Sequence, residues 1–112
     1  MLIASVVLFA LVAVLGVSIL VKWLNNASAS RVVVYSHGAV AAVALVLLIV
    51  YALENSSNLI LVSTVTFVVA ALGGFYMFFR DLQGKNSPMS IAYLHAALAV
   101  GGFVVLLMAT FG

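Results

Sequence analysis

Residues 2–24 read LIASVVLFALVAVLGVSILVKWL, and the only charged side chain among them is that of Lys22. A transmembrane α-helix needs about 20 consecutive, mostly apolar residues to cross roughly 30 Å of hydrocarbon. The stretch meets that length, and it lacks the basic start and the clear cleavage site of a signal peptide. We therefore predict a retained membrane-spanning helix.

Three more stretches of this kind follow. The predicted membrane-spanning helices cover about residues 2–24, 32–53, 59–80 and 89–111. Because the polar segments between them are short, neighbouring helices should run antiparallel. Of the 112 residues 68% are apolar, and only four basic and two acidic residues are present, which no soluble domain with a hydrated surface could sustain. The sequence predicts an all-α, integral membrane protein with one transmembrane domain, an up-down four-helix bundle.

Composition excludes several classes of function. The chain has no cysteine, so disulfides, thiolate-held iron–sulfur clusters and covalent c-type haem are excluded. No run of basic residues could follow a phosphate backbone, which argues against nucleic acid as a partner. Two histidines alone are too few protein ligands for a typical zinc site.

The basic residues predict how the chain lies in the membrane. They flank the first and third loops only: Lys22, Arg31, Arg80 and Lys85. Since Lys and Arg are enriched in cytoplasmic loops, we expect loops 24–31 and 81–88 to be cytoplasmic. Both termini would then lie outside the inner (cytoplasmic) membrane.

The chain matches itself when it is shifted by 58 positions, the separation of its two histidines. Residues 2–54 then align with 60–112 without a gap. Identical pairs include Ser5 and Ser63, Phe9 and Phe67, Ala13 and Ala71, Gly16 and Gly74, Tyr35 and Tyr93, and Leu48 and Leu106. We infer a tandem duplication of one two-helix hairpin, which an even number of crossings makes a parallel repeat.

A parallel repeat places His37 and His95 at the same depth. Each lies about six residues, or ~9 Å, inside the cytoplasmic end of its helix. In an up-down bundle the second and fourth helices are diagonal, so the two imidazoles can face one another. An ionisable side chain within the hydrocarbon indicates a functional site.

Two interpretations of the histidines follow from the residues. Each imidazole could bond a carbonyl or hydroxyl group of a facing helix and serve packing alone. Alternatively, the pair could supply both axial ligands of one haem b per chain, which explains the matched depth better.

Other small or basic residues fit a haem between the second and fourth helices. Glycines at nearly the depth of the histidines would admit a porphyrin edge, alanines after each histidine would leave room for a flat ligand, and symmetry-related cations would meet the propionates. These candidate residues are Gly16, Gly74, Ala41, Ala99, Lys22 and Arg80. The cations could equally anchor their helices at the membrane surface.

This arrangement resembles the membrane b-type cytochromes, in particular the cytochrome b subunit of quinol-oxidising complexes. The resemblance rests on His37, His95, Gly16 and Gly74, and it implies a bis-histidine haem in a four-helix bundle. That family has a second histidine about fourteen residues on, where this chain has Tyr51 and Ala109, so a second haem is not expected.

The predicted function is one-electron transfer rather than catalysis by the chain itself, because both axial positions would be filled. Quinol or a redox partner protein would exchange electrons with it. The alternative is a non-catalytic membrane subunit or scaffold whose histidines are hydrogen-bonded internally.

Overall fold

A computed structural model describes residues 1–112. It has four α-helices: α1 (Leu2–Leu24), α2 (Arg31–Glu54), α3 (Asn58–Leu82) and α4 (Met89–Phe111). There is no β-strand, and each helix is long and apolar enough to cross a membrane. The prediction of an all-α, multi-pass membrane protein is confirmed, and a lipid bilayer is its environment. The predicted spans differ from these helices by at most two residues at any end.

The chain forms two compact units, Met1–Ser56 and Ser57–Gly112. In the first unit α1 packs against α2, and in the second α3 packs against α4. Each unit is a helical hairpin, and we call them the first and second hairpins. The sequence predicted one domain made of two such repeats, and the contacts make each repeat a compact unit in its own right.

Helix α1 ends in a turn with one residue in the left-handed backbone conformation. Asn26 has φ 55°, and it lies just beyond the last helical turn. The N–H group of Ala27 donates to the Lys22 carbonyl at 2.8 Å, and the N–H group of Asn26 donates to the Trp23 carbonyl at 3.0 Å. This is a Schellman motif, which satisfies carbonyls that the helix end would leave without partners.

The second hairpin repeats this turn at the end of α3. Gly84, the counterpart of Asn26, has φ 71°. The N–H group of Lys85 donates to the Arg80 carbonyl at 2.9 Å, and that of Gly84 donates to the Asp81 carbonyl at 3.0 Å. The two hairpins therefore share a backbone conformation at positions where their side chains differ.

Each hairpin has a narrow core where its two helices meet. Leu48 and Leu106 are fully buried, and Phe9 and Phe67 are almost so. These are repeat-related pairs, so both hairpins use the same positions for packing. Large apolar side chains elsewhere are exposed, as is expected of a surface that lipid covers.

Candidate functional site

His37 bonds the backbone of the opposite helix in its own hairpin. It lies on α2, six residues after Arg31, and its Nδ1 atom is 3.0 Å from the Val12 carbonyl oxygen of α1. The imidazole is half-buried. A polar ring at this depth in lipid needs such a partner, because no bulk water is present to replace it.

His95 makes the corresponding bond in the second hairpin. Its Nδ1 atom is 2.7 Å from the Ala70 carbonyl oxygen of α3. Val12 and Ala70 are counterparts in the repeat, so the acceptor carbonyl is the same in both hairpins although its side chain is not. The alignment of the two repeats predicted matching histidines, but it could not predict which carbonyl each histidine bonds.

The acceptors fix the tautomer that each ring has when it is neutral. A carbonyl oxygen can only accept, so Nδ1 carries the proton and donates. The lone pair of each neutral imidazole is then on Nε2. Histidines that ligate metals are commonly held in this way, with the other ring N–H group bonded to a carbonyl or carboxylate.

Gly16 and Gly74 make room for the imidazoles. A Cβ atom on Gly16 would lie 3.0 Å from His37 Cε1, and one on Gly74 would lie 3.1 Å from His95 Cε1. Real Cβ atoms show almost no contacts closer than this. In each hairpin the ring that lies against the glycine is the imidazole, and the expected contact of these glycines with a porphyrin edge stays a prediction.

The position of each glycine follows from helix geometry. The carbonyl of residue i in an α-helix points towards residue i+4, whose side chain stands beside it. Val12 and Gly16 have this spacing, as do Ala70 and Gly74. An imidazole can approach the carbonyl from the side because the residue four positions later has no Cβ.

A second pair of bonds joins the helices nearer the other end. Ser5 Oγ donates to the Ala44 carbonyl at 3.1 Å, and Ser63 Oγ donates to the Gly102 carbonyl at 2.9 Å. Both serine side chains are fully buried. The sequence marked the serines as identical repeat pairs; the signal that they face the partner helix is their spacing, because Ser5 and Gly16, like Ser63 and Gly74, are 11 residues or three helical turns apart.

The alanines predicted beside the histidines are only half-buried. Ala41 and Ala99 lie one turn after His37 and His95, and Ala44 and Gly102 are the buried small residues one turn further on. These buried positions are also the serine acceptors. These small residues therefore allow the two helices of each hairpin to approach closely.

The two predicted propionate partners have different surroundings. Lys22 is exposed. The Arg80 guanidinium donates to the Asn86 carbonyl through Nε at 3.2 Å and through Nη2 at 2.8 Å, and it lies over the Tyr76 ring at 5.7 Å. A contact of either cation with a propionate stays a prediction.

Within each hairpin the structure brings together one histidine, one glycine and one backbone carbonyl. No group of three or more His, Cys, Asp or Glu side chains could hold a metal ion by itself. The pairing of His37 with His95 on one haem stays a prediction.

Comparison with models of known families, with curated proteins and with solved structures finds no match for this chain.

Proposed function

We propose that the chain is a small membrane b-type cytochrome that binds one haem b through Nε2 of His37 and Nε2 of His95. The observation that carries the proposal is the pair of Nδ1 bonds to the Val12 and Ala70 carbonyls. They give both histidines the tautomer that an axial ligand requires, at corresponding positions of a repeat. Haem iron with two nitrogen ligands would supply reversible one-electron transfer.

The residues of the chain would hold the imidazoles ready for this role. The carbonyl bond orients each ring, and Gly16 or Gly74 leaves room for it. Ligands already held in place lose less conformational entropy when they bind. Quinol or a docking redox protein would exchange electrons with the site, as the sequence predicts.

The test is the haem content of variants at each ligand. His37→Gly and His95→Gly should each abolish tight haem binding in protein purified from haem-replete cells. Added imidazole should restore the spectrum by filling the place of the missing ring. Ser5→Ala, which removes a bond of similar kind without a ring nitrogen, is the matched control and should keep its haem. Retention of haem in both glycine variants would contradict the proposal.

A second candidate, a non-catalytic membrane subunit, is favoured by one observation. The four bonds that join the histidines and the buried serines to backbone carbonyls each lie inside one hairpin. Such bonds would close each hairpin without any cofactor.

Substitution of His37 by asparagine distinguishes the two candidate functions. In His37→Asn the amide nitrogen can take the place of Nδ1 and donate to the Val12 carbonyl, but no atom replaces Nε2. A cytochrome should lose its haem in this variant while the apoprotein keeps its stability. If the chain is a purely structural subunit, the wild-type protein should contain no haem. His37→Ala should then lower its stability, whereas His37→Asn should not.

We further propose that the loops joining α1 to α2 and α3 to α4 face the cytoplasm, in the inner membrane, with both termini outside. The proposal is supported by the four basic residues, all of which flank these two loops.

A further inference from the structure

The loop end of the second hairpin has two basic residues in one turn, Arg80 and Lys85. The Schellman turn bonds the Lys85 N–H group to the Arg80 carbonyl at 2.9 Å. In this motif the side chains of the residues near these two positions frequently make an apolar contact. In the second hairpin both are basic and Asp81 is the one acid of the turn, so the turn keeps a net positive charge.

The Arg80 guanidinium is held in place by neutral groups. The Asn86 carbonyl accepts two of its N–H bonds, and the Tyr76 ring lies beneath it. A guanidinium has five N–H donors, so these bonds leave others for a ligand. The partners orient the side chain without neutralising its charge, and a planar fork of donors suits a phosphate.

An exposed aromatic surface of α3 precedes Arg80, on the neighbouring stripe of the helix. Phe75 and Phe79 are one turn apart on α3, and their side chains are 57% and 56% exposed. Residues at this spacing lie on the same face of a helix. A ligand with an anionic head and apolar chains would match both parts of the surface.

The first hairpin has the same turn without these features. Lys22 takes the place of Arg80, but Ser18 replaces Tyr76 and Ala27 replaces Lys85. Valines stand where the second hairpin has Phe75 and Phe79. The duplication therefore supplies an internal comparison in which the fold is kept and the side chains change.

We propose that the second hairpin holds an anionic phospholipid, with its phosphate on Arg80 and Lys85 and its acyl chains along Phe75 and Phe79. The charge of the two cations selects this ligand over a zwitterionic lipid, and the exposed aromatic surface accommodates its acyl chains. No histidine takes part in this site, and Arg80 is the one residue that it shares with the predicted haem contacts.

The test compares lipid binding by the full chain in detergent micelles that contain phosphatidylcholine and phosphatidylglycerol, read by native mass spectrometry. Wild type should retain one phosphatidylglycerol preferentially. Arg80→Gln with Lys85→Gln should lower its affinity about tenfold, since each cation near a membrane surface contributes on the order of a few-fold. The matched control Lys22→Gln should change it less than about twofold.

Circular dichroism should give equal helicity for wild type, the double variant and Lys22→Gln, which would show that the double variant is folded. An excess of glycerol 3-phosphate tests whether a free phosphate suffices, and the proposal expects no displacement of the lipid. Equal affinity of wild type and double variant would overturn the site, as would an equal loss in Lys22→Gln. Absence of any preference in wild type would overturn it too, and would favour an acidic protein segment as the occupant.

Discussion

At the residue scale, the site depends on the absence of a side chain beneath each imidazole. Gly16 and Gly74 each lie four residues after the carbonyl that accepts the histidine bond. The bond and the glycine are therefore parts of one arrangement, because a methyl group at the glycine would occupy space that the ring needs.

Gly16→Ala should destabilise the first hairpin. The new Cβ would lie 3.0 Å from His37 Cε1, so the ring must move and lengthen its bond to the Val12 carbonyl. Overpacking of this kind costs about 1–3 kcal/mol. Unfolding in detergent measures it, and Gly38→Ala is the control, because a Cβ there meets nothing within 4 Å. Equal stability of the two variants would contradict the packing role of Gly16.

The buried serines allow a test of the other bond in each hairpin. Ser5→Ala and Ser63→Ala should each lower the free energy of unfolding by about 0.6 kcal/mol, and by no more than about 1.7 kcal/mol. Because the bonds lie in separate hairpins, the double variant should show the sum of the two losses. Thr66→Val is the control, since Thr66 is half-buried and bonds only the carbonyl of Val62 in its own helix. A loss in the control as large as in the serine variants would count against a special role for the interhelical bonds.

The sequence could indicate which side chains matter in the site, and that the imidazoles could bond a carbonyl or hydroxyl group, but not which group each side chain bonds. Histidine, glycine and serine stand out in an apolar helix, and their repetition marked them. Their acceptors are backbone carbonyls of Val12, Ala70, Ala44 and Gly102, and every residue has a carbonyl. Only the distance between the packed helices selects these four.

At the element scale, helix length was predictable because the thickness of a bilayer sets it. The conformation of the turns was less predictable from the sequence. Asn26 and Gly84 differ in side chain, and their equivalence becomes visible only through their shared positive φ. A left-handed conformation is easy for glycine, tolerable for asparagine and unfavourable for most other residues.

Gly84→Ala should therefore destabilise the second hairpin by about 1–2 kcal/mol, because alanine at φ 71° is strained. Asn26→Gly should have the opposite sign, since it relieves the smaller strain at φ 55°. Thermal unfolding in detergent compares the two. A Gly84→Ala variant as stable as wild type would show that the turn can adopt another conformation without cost.

At the scale of the whole molecule, duplication explains why two compact units carry the same bonds. Each hairpin meets the polar needs of its own histidine and serine. The sequence predicted one transmembrane domain made of two repeats, but a sequence match does not reveal that the contacts within each repeat make it a compact unit.

The predicted orientation in the membrane can be tested with single cysteines, because the chain has none. Ser56→Cys, between the hairpins, should react in intact cells with a maleimide that cannot cross the inner membrane. Ser28→Cys and Ser87→Cys, in the two loops flanked by basic residues, should react only after the membrane is opened. The reverse pattern would invert the topology.

The most direct test of the central claim is the reduced-minus-oxidised absorption spectrum of the full chain purified from haem-replete cells. A bis-histidine cytochrome should show a sharp Soret band with α and β bands, one haem per chain, and no rapid change on addition of carbon monoxide. Both His37→Ala and His95→Ala should lose these bands. A colourless wild-type protein would contradict the account, and a spectrum that persists in either variant would contradict the assignment of its ligands.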